Sequence, residues 1–516
     1  MSAGSKFSNF HLAMSNYQCP IQRIRAPELP QNYSWLNTDK PFSLKQLRGK
    51  VVILHFWTYC CINCLHVLPD LKYLERKYNY SAIVLGIHSA KFDNEKEIEN
   101  IRQAILRYNI EHPVLIDKDF RVWQEYTVRA YPTFAIVDPQ GYLVTSLTGE
   151  GKRQILDELI VKLIKQHQEK GTIVFQEFEL ILEKQKETLI TPLAFPGKIL
   201  ATDSKLFIAD TGHHRIVVSN LNGEVLHTIG SGKPGLKDGS FSEAEFFAPQ
   251  GMAFDEVNHI LYVADTENHA IRKVDFKLQL VEIIAGKGEQ SLNIPTLGDA
   301  GLETALNSPW DLVNHGNKLF IAMAGCHQIW ELDLEDNCIQ IYAGRGAESC
   351  VDGELSESAF AQPSGITTNG NELYIADSEV SSIRAINLKT RQVRTICGSG
   401  DLNAFGDIDG NGFDVRLQHC LGIEYANNYL WIADTYNHKI KLVNPISGDC
   451  QSLLGDGRKG LQDGKGENSL FYEPSGISIF DDYLYIADTN NHAIRRVNLN
   501  TLIVETMNFF GLRSPG

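Results

Sequence analysis

The chain has 516 residues, of which 43% are hydrophobic and 22% are charged, and its formal net charge is −15. This length exceeds what one compact core supports, so we expect two domains, and the ordinary composition excludes a low-complexity or disordered chain. No uninterrupted apolar run reaches the roughly 20 residues needed to cross a bilayer, which excludes a helical membrane protein.

Charge is unevenly distributed along the chain. Residues 1–170 carry 22 Lys and Arg against 17 Asp and Glu, whereas residues 171–516 carry 26 against 46. The acidic second part would repel phosphate backbones, so we expect no nucleic-acid partner. The opposite net charges favour attraction between the two parts wherever their charges come into contact.

The cysteines and the N-terminus indicate a reducing environment. Residues 1–25 have no signal-peptide core, so we expect a cytoplasmic protein without a membrane partner. In that compartment, closely spaced cysteines indicate redox or metal chemistry rather than structural disulfides. Four of the ten cysteines lie within the first 64 residues. We expect the other six to be reduced and mostly structural: Cys326, Cys338, Cys350, Cys397, Cys420 and Cys450.

Residues 25–170 alternate between apolar strand patterns and helical patterns, which predicts an α/β layered domain. Strands are predicted at Val51–Trp57, Ala82–Ile87, Thr133–Val137 and Tyr142–Thr148. Helices are predicted from Cys61 onward, at Asn94–Tyr108 and at Arg153–Gln166.

Cys61 and Cys64 form a C-x-x-C motif where the first long strand meets a helix, a placement typical of redox-active dithiols. Backbone N–H groups at the helix start favour a thiolate on Cys61, and Cys64, one turn further on, can resolve a mixed disulfide. Pro132 precedes a later strand. The stretch from Phe42 to Pro132 resembles the membrane-tethered thiol reductase branch of the thioredoxins. The resemblance implies that Pro132 is a cis-proline that shapes the substrate groove.

Three residues depart from the thioredoxin pattern. Cys60 stands where Trp is usual, Asn63 where Pro is common, and His55 where thioredoxin has a buried acid. His55 either acts as a base or is a hydrogen-bonded core histidine. We expect Trp57, Tyr59, His55 and Cys60 to support the dithiol.

Cys60 has three interpretations: a spare buried thiol, an alternative resolving cysteine, or a third metal ligand. A spare thiol is favoured, since free cysteine packs as a small apolar group. Zinc would need a fourth ligand, for which His66 is the near candidate, and structural zinc sites normally show two separated ligand pairs. We therefore expect no metal, and no cofactor beyond the Cys61–Cys64 pair.

Residues 191–510 contain six copies of a strand–turn–strand pattern, of which Leu484–Arg495 is typical. Anchored on the Asp of that pattern, the copies stand at positions 210, 265, 323, 377, 434 and 488, spaced by 54 to 58 residues. This period indicates propeller blades, and flanking strands complete four strands per blade. The pattern resembles the NHL-repeat family, which implies a six-bladed β-propeller. Each blade can be built from contiguous sequence.

Five of the six turns carry a histidine at the same point: His214, His269, His327, His438 and His492. Blade geometry separates equivalent residues too far for one metal ion, so we expect each Asp and His to hydrogen-bond its own turn. The third copy has Met323 in the Asp position, and the fourth has Val380 and Ser381 in the turn. Such departures arise by drift or mark a partner-facing surface.

The sequence therefore predicts a two-domain protein: an α/β thioredoxin-like domain at 25–170, then an all-β six-bladed propeller at 191–510. A tail at 1–24, a linker at 171–190 and a tail at 511–516 complete the chain. This combination, with Cys-Cys-Ile-Asn-Cys at 60–64, resembles the NHL-repeat-containing protein 2 family. The resemblance covers almost the whole chain beyond residue 25 and implies a redox or scaffold role.

Three functions follow as hypotheses. The first is a thiol–disulfide oxidoreductase in which Cys61 attacks, Cys64 resolves and the propeller docks a protein substrate or partner. The second is a non-catalytic interaction protein with a degenerate thioredoxin fold, favoured by the unusual Cys60 and Asn63. The third is a metal-dependent enzyme acting through the propeller channel. The oligomeric state stays open.

Overall fold

A computed structural model of the chain describes residues 23–186, 191–292 and 299–515. Most of the N-terminal tail expected at 1–24, residues 187–190 of the expected linker and Gly516 lie outside the described residues. Within those ranges, no helix combines the length and the apolar character that a membrane crossing requires.

The first domain is built on a single mixed sheet. Its strands are β1 (Trp35–Leu36), β2 (Val51–Trp57), β3 (Ala82–His88), β4 (Val114–Ile116), β5 (Thr133–Val137) and β6 (Leu143–Thr148). They lie in the order β1–β4–β3–β2–β5–β6. The strands β2, β3 and β4 are parallel, and the other three join antiparallel. Every residue of β2 and β3 is buried, as expected for apolar strands covered on both faces.

Helices cover both faces of this sheet. They are α1 (Ile62–His66), α2 (Leu68–Tyr78), α3 (Ile98–Arg107), α4 (Arg121–Glu125), α5 (Arg153–Glu169) and α6 (Glu183–Lys186). The helices α2 and α5 pack on one face around Ile53 and Phe134. Helix α4 and residues 29–47 pack on the other, around Leu54 and Phe56. The loop that carries the cysteines therefore begins at the carboxyl end of the central strand β2.

The first part of the expected linker lies against the α/β domain. Val174 N donates to Gly49 O at 2.8 Å, and Gln176 N donates to Tyr80 O at 2.9 Å. In α6, the Glu183 carboxylate accepts a hydrogen bond from Arg102 Nε at 2.8 Å. Residues 171–186 are thus held by the domain that precedes them.

The second domain is a β-propeller whose six blades, in the described residues, each contain four consecutive antiparallel strands. Blade 1 contains Ile199–Ala201, Leu206–Asp210, Arg215–Ser219 and Val225–Ile229. Blade 2 contains Pro249–Asp255, Ile260–Asp265, Ala270–Asp275 and Leu280–Ala285. Blade 3 contains Pro309–His315, Lys318–Met323, Gln328–Asp333 and Cys338–Ala343. Blade 4 contains Pro363–Thr368, Glu372–Asp377, Ser382–Asn387 and Gln392–Cys397. Blade 5 contains Gly422–Ala426, Tyr429–Asp434, Lys439–Val443 and Asp449–Leu454, and blade 6 contains Pro474–Phe480, Tyr483–Asp488, Ala493–Asn498 and Ile503–Thr506. The contiguous blades confirm the predicted fold class.

A short fifth strand from the preceding loop extends the outer edge of blades 2 to 6. These strands are Gly239–Ser240, Asp299–Ala300, Gly353–Glu354, Gly410–Asn411 and Gly464–Lys465. In blade 1 the C-terminal segment takes this place, because Val225 N donates to Phe510 O at 3.2 Å and Phe510 N donates to Gly223 O at 2.9 Å. The two ends of the propeller therefore meet at the edge of blade 1 without exchanging a full strand.

The repeated Asp supports its own turn, as expected. In blade 6, one Asp488 oxygen accepts from Tyr472 N at 2.8 Å, and the other accepts from Arg495 and Asn491, each at 2.8 Å. Both Asp488 and Arg495 are fully buried, so the pair compensates two charges that would be costly alone. Blade 3 replaces this pair with two buried apolar side chains, Met323 and Trp330. Met323 in the Asp position is therefore accompanied by Trp330 in the position that Arg495 holds in blade 6.

The repeated His does not bond its own turn, so that prediction is wrong. Its Nδ1 instead accepts a backbone N–H from the next blade: His214 from Ala248, His269 from Ser308, His327 from Gln362, His438 from Glu473 and His492 from Phe195, at 3.0 to 3.2 Å. In blade 4, Ser381 Oγ accepts from His419 N at 3.0 Å. Each His has positive φ, which turns its ring out of its own turn and toward the neighbouring blade. Burial lowers the pKa of His214 to about 4, which keeps its ring nitrogen available as an acceptor.

The six residues that donate these bonds form a ring on one face of the propeller. They are Phe195, Ala248, Ser308, Gln362, His419 and Glu473, and we call them the docking ring. All six adopt positive φ between 46° and 59°, an uncommon conformation for residues other than glycine. Each precedes the first strand of its blade, so the six recur at the same end of the blades.

The channel itself holds a cation supplied by the chain. Lys198 Nζ donates to Asp311 Oδ2 at 2.8 Å, to Ser364 O at 2.9 Å and to Leu421 O at 2.6 Å. These residues come from four blades, and Lys198 is buried. A metal-dependent reaction in the channel would have to share this space with an ammonium group, which disfavours a second cation there.

Candidate functional site

The α/β domain sits on the docking ring of the propeller. The Glu473 carboxylate accepts hydrogen bonds from Tyr59 OH at 3.2 Å, Asn94 Nδ2 at 2.9 Å and Arg107 Nη2 at 2.8 Å. Lys91 forms a second ion pair with Glu379 of blade 4. Both pairs join a cation of the α/β domain to an acid of the propeller, in line with the opposite charges of the two parts.

Apolar contacts complete this interface beside the cysteines. Ile62 and Leu65 of α1 pack against Trp310 and Ala324 of blade 3. Because Ile62 is almost completely buried, the segment that follows Cys61 is enclosed by the propeller. The dithiol is thus a feature of the domain interface as well as of the α/β domain.

The dithiol stands at the start of α1. Cys61 is the residue before the helix and is partly exposed, whereas Cys64 is fully buried one turn further on. Burial and a hydrogen bond that the Cys64 thiol donates to Cys61 hold the pKa of Cys64 well above its usual value. Both cysteines are free thiols. The arrangement is that of an accessible thiol next to a buried, protonated one.

Helix α1 is short. It ends after His66, and α2 begins at Leu68 with Pro69 in its first turn. Cys61 therefore faces five helical residues rather than a long helix, so the helix dipole contributes less than expected and individual N–H groups matter more.

Pro132 lies on the same side of the domain as the dithiol. The Tyr131–Pro132 peptide is cis, as the resemblance implies, and leads directly into β5. Tyr131 packs in the same cluster as Cys61 and Cys64, and its OH donates to Ser89 O at 2.6 Å. The cis-proline loop and the cysteines thus form adjacent walls around the partly exposed thiol.

Cys60 belongs to the domain interface. It is buried, its N donates to Glu95 Oε1 at 2.9 Å, and its O accepts from Gln362 Nε2 at 2.9 Å. Burial, together with the nearby carboxylates of Glu379 and Glu95, holds the pKa of the Cys60 thiol well above its usual value. This environment suits a structural thiol better than an alternative resolving cysteine.

His66, the fourth ligand that a zinc site at Cys60 would need, is already hydrogen-bonded through both ring nitrogens. His66 Nε2 is hydrogen-bonded to Ser308 Oγ at 2.8 Å, and His66 Nδ1 is bonded to Glu150 Oε2 at 2.7 Å. The ring therefore links α1 to the docking ring and to the loop before α5. Both nitrogens that a metal would require are already engaged.

Glu95 is a site residue that the sequence analysis missed. Its carboxylate is fully buried and accepts hydrogen bonds from the backbone N of Cys60, Lys91 and Phe92 at 2.9 to 3.0 Å. Burial raises the pKa of Glu95 to about 7. It fixes the loop after β3 to the residue before the dithiol. It stands among other charged residues at 93–97, and no sequence signal separates it from them.

His55 and Trp57 lie behind the dithiol in the core. The His55 ring stacks on Phe134 at 5.2 Å and lies 6.2 Å from the Trp57 ring. Neither His55 ring nitrogen has a hydrogen-bond partner among the described residues, and the Trp57 indole N–H lacks one too. Burial, together with His112, holds the pKa of His55 well below its usual value. The expectation of a hydrogen-bonded core histidine is therefore wrong, and His55 is a neutral, buried ring.

Because His55 is buried in this environment, we expect it to lower the stability of the folded protein in acid. Because the folded pKa is lowered, the unfolded chain takes up a proton below about pH 6.5 that the folded chain refuses, so stability falls as the pH drops through that value. We expect His55→Leu to remove this term. When the pH is lowered from 7.5 to 5.5, the free energy of unfolding of the α/β domain in urea should fall by about 1.4 kcal/mol less in the variant than in the wild type. If the free energy of unfolding changed by the same amount with pH in both proteins, His55 would titrate normally in the folded chain.

The two blades that depart from the repeat both contact the α/β domain, as blades 5 and 6 also do through Tyr436 and Glu473. In blade 3, Ala324 packs against Ile62, next to the substituted Met323. In blade 4, Glu379, next to Val380, pairs with Lys91. The surface that these departures mark therefore faces a partner within the same chain, the α/β domain.

A cavity of about 920 Å³ remains between the two domains. It extends over the docking ring at Phe195 and Ala248, where the α/β domain leaves a gap. Tyr59 and Cys60 line it, whereas the described lining residues include neither Cys61 nor Cys64. The cavity thus reaches the dithiol loop at Cys60 and not at Cys61.

Comparison with known proteins supports both domains. A family model described as thioredoxin-like matches residues 49–143. NHL repeat-containing protein 2 of Gallus gallus is 43% identical over 525 residues, covering 94% of this chain and 71% of that protein. Protein SUPPRESSOR OF QUENCHING 1, chloroplastic, of Arabidopsis thaliana is 44% identical over 492 residues, covering 92% of this chain and 46% of that protein. Thiol-disulfide oxidoreductase ResA of Halalkalibacterium halodurans is 28% identical over 152 residues, covering 29% of this chain and 84% of that protein.

The chain spans about half the length of the Arabidopsis relative and nearly three quarters of the Gallus relative. The alignment with the Gallus protein covers 94% of the chain and therefore runs through both of its domains. The chain belongs to the NHL repeat-containing protein 2 family.

Proposed function

We propose that the protein is a thiol–disulfide oxidoreductase whose reactive thiol is Cys61. The observation that carries the proposal is the contrast between its two cysteines, since Cys61 is partly exposed at the start of α1 and Cys64 is buried beside it. The loop of Pro132 supports it, because Tyr131, the residue before Pro132, packs in the same cluster as Cys61. The name of the bacterial relative, a thiol-disulfide oxidoreductase, gives further support for the α/β domain.

The reaction proceeds in two exchanges. The Cys61 thiolate attacks one sulfur of a substrate disulfide, forming a mixed disulfide and releasing the other sulfur as a thiolate. That thiolate takes the proton of Cys64, whose sulfur then attacks Cys61 Sγ. The second substrate sulfur leaves with the electron pair of the mixed disulfide and takes a proton from solvent. The substrate is reduced by two electrons, and the chain is left with a Cys61–Cys64 disulfide that an external dithiol must reduce.

We further propose that the propeller presents the substrate or partner and that the protein acts in the cytoplasm. The propeller holds the residues around Cys61 through Gln362 and Trp310, which supports a role of the propeller in presenting a partner to the dithiol. The nine described cysteines are free thiols, in keeping with a reducing compartment. The name of the Arabidopsis relative assigns that protein to the chloroplast, and fractionation of cells expressing this chain tests its own location.

Reduction of insulin disulfides by the full chain, with dithiothreitol as the electron donor, tests the enzymatic proposal. We expect precipitation of the insulin B chain to begin earlier, and to proceed faster, than with dithiothreitol alone. A rate equal to that of dithiothreitol alone would favour the non-catalytic interaction protein instead.

A further inference from the structure

Gln362 of the docking ring reaches across the domain interface to the backbone on both sides of Cys61. Its Oε1 accepts a hydrogen bond from Ile62 N at 2.9 Å, and its Nε2 donates to Cys60 O at 2.9 Å. One side-chain amide therefore spans the reactive residue from the propeller side. Gln362 is almost completely buried, so water does not compete for these bonds.

The propeller fixes Gln362 rigidly. Its N donates to His327 Nδ1 at 3.0 Å, and its O accepts from Ser364 Oγ at 2.9 Å and from Ser378 Oγ at 2.5 Å. Its φ of +59° is uncommon for a residue other than glycine, and the surrounding hydrogen bonds hold the backbone in this conformation. The amide position is therefore set by blades 3 and 4, and not by the α/β domain.

The Gln362 oxygen lies where it opposes negative charge on Cys61. The Ile62 N–H is the first backbone donor after Cys61, and Gln362 Oε1 engages it. A donor engaged by an amide oxygen stabilises a neighbouring thiolate less than a free donor does, and the partial negative charge of that oxygen adds repulsion. The side chain thus holds the loop in place and restrains the reactivity of its thiol.

We propose that Gln362 is a positioning residue through which the propeller sets the reactivity and reduction potential of the Cys61–Cys64 pair. The inference rests on the proposed function, since it assigns a control element to the same dithiol. It also implies reciprocity: whatever favours the Cys61 thiolate weakens the contact between the domains, and a ligand that shifts the domains alters the dithiol. The cavity between the domains, which Gln362 lines together with Cys60, gives such a ligand a place to act.

Two substitutions of similar size separate this role from a purely structural one. Gln362→Glu places a full negative charge beside Ile62 N, and Gln362→Met removes both hydrogen bonds. We expect iodoacetamide to alkylate Cys61 at least about threefold more slowly in the Glu variant and at least about threefold faster in the Met variant. Reactions are run on the full chain at pH 8, to keep the introduced carboxyl ionised, and the modified peptide is quantified by mass spectrometry.

The reduction potential should move with the reactivity. Equilibration with dithiothreitol redox buffers should show the reduced form disfavoured by Gln362→Glu and favoured by Gln362→Met, with each tenfold change in the equilibrium constant corresponding to about 30 mV. Gln418 provides the matched control, because its Oε1 accepts from Asn94 N at 3.1 Å in the same interface, away from the dithiol loop. The Glu and Met variants of Gln418 should stay within twofold of the wild type.

Opposite changes in the two Gln362 variants support the proposal. Changes in the same direction would show that Gln362 only tightens the loop, and unchanged rates would show that it does not act on Cys61; either result overturns the proposal. If the Glu variant does not fold, a Met variant no faster than the wild type overturns it alone. Neither readout needs a substrate, so a failure of insulin reduction would refute the proposed function without deciding the role of Gln362.

Discussion

Replacing Cys61 by serine is expected to abolish the reduction of insulin disulfides above the rate of dithiothreitol alone, a loss of at least about 100-fold in the catalysed rate. The hydroxyl of serine is a far weaker nucleophile than a thiolate, and the buried Cys64 cannot reach a substrate disulfide in its place. The same turbidity assay measures the wild type and the variant at equal protein concentration.

Cys60→Ser is the matched control for this result. Cys60 is adjacent in sequence, but its side chain is buried in the domain interface. We expect this variant to keep at least half of the wild-type rate. Equal losses in the two variants would contradict the assignment of Cys61 as the reactive thiol and would return Cys60 to the reaction.

Replacing Glu473 by alanine is expected to destabilise the contact between the two domains by about 3–5 kcal/mol. The substitution removes the acceptor for Tyr59, Asn94 and Arg107 at once and leaves the Arg107 guanidinium without its counter-charge in a buried place. We expect calorimetry to show the α/β domain unfolding at a lower temperature than the propeller, and limited proteolysis to cut between them.

Two control substitutions make this result specific. Glu473→Gln keeps an acceptor of the same shape and should cost less, about 1–3 kcal/mol. Glu505→Ala removes an exposed acid paired with Arg496 in the same blade and should change stability by less than about 1 kcal/mol. If Glu473→Ala behaved like Glu505→Ala, Glu473 would not be the centre of the interface.

Patterns that depend on near neighbours in the sequence could be predicted. The apolar run Val51–Trp57 could only be a buried strand, and it is one. The repeated Asp was predicted to hydrogen-bond its own turn, and Asp488 accepts a hydrogen bond from Asn491 of that turn at 2.8 Å. In each case the interaction lies within one strand or one turn, so the chain itself fixes the geometry.

Features that depend on how blades and domains pack could not be predicted. The repeated His bonds the next blade because positive φ turns its side chain outward, and no residue type in the repeat signals that direction. The docking ring is hidden for a similar reason. Its members, such as Ala248, Gln362 and Glu473, share a backbone conformation and a position but no side-chain chemistry. They become recognisable only when the channel mouth and the domain above it are seen together.

The opposite charges of the two parts were informative but not sufficient. They predicted attraction, and Arg107 with Glu473 and Lys91 with Glu379 are such contacts. Composition does not say which cation meets which acid, because that depends on where the ring presents its side chains. The propeller also encloses the residues on either side of Cys61, through Gln362.

Trapping with Cys64→Ser identifies the cysteine that attacks a substrate disulfide. Without the resolving thiol, a full-length Cys64→Ser chain exposed to insulin should accumulate a mixed disulfide, and peptide mapping under non-reducing conditions identifies the cysteine that holds it. We expect an adduct on Cys61 that dithiothreitol releases and that Cys61→Ser prevents. An adduct on Cys60, or no adduct at all, would refute Cys61 as the attacking thiol.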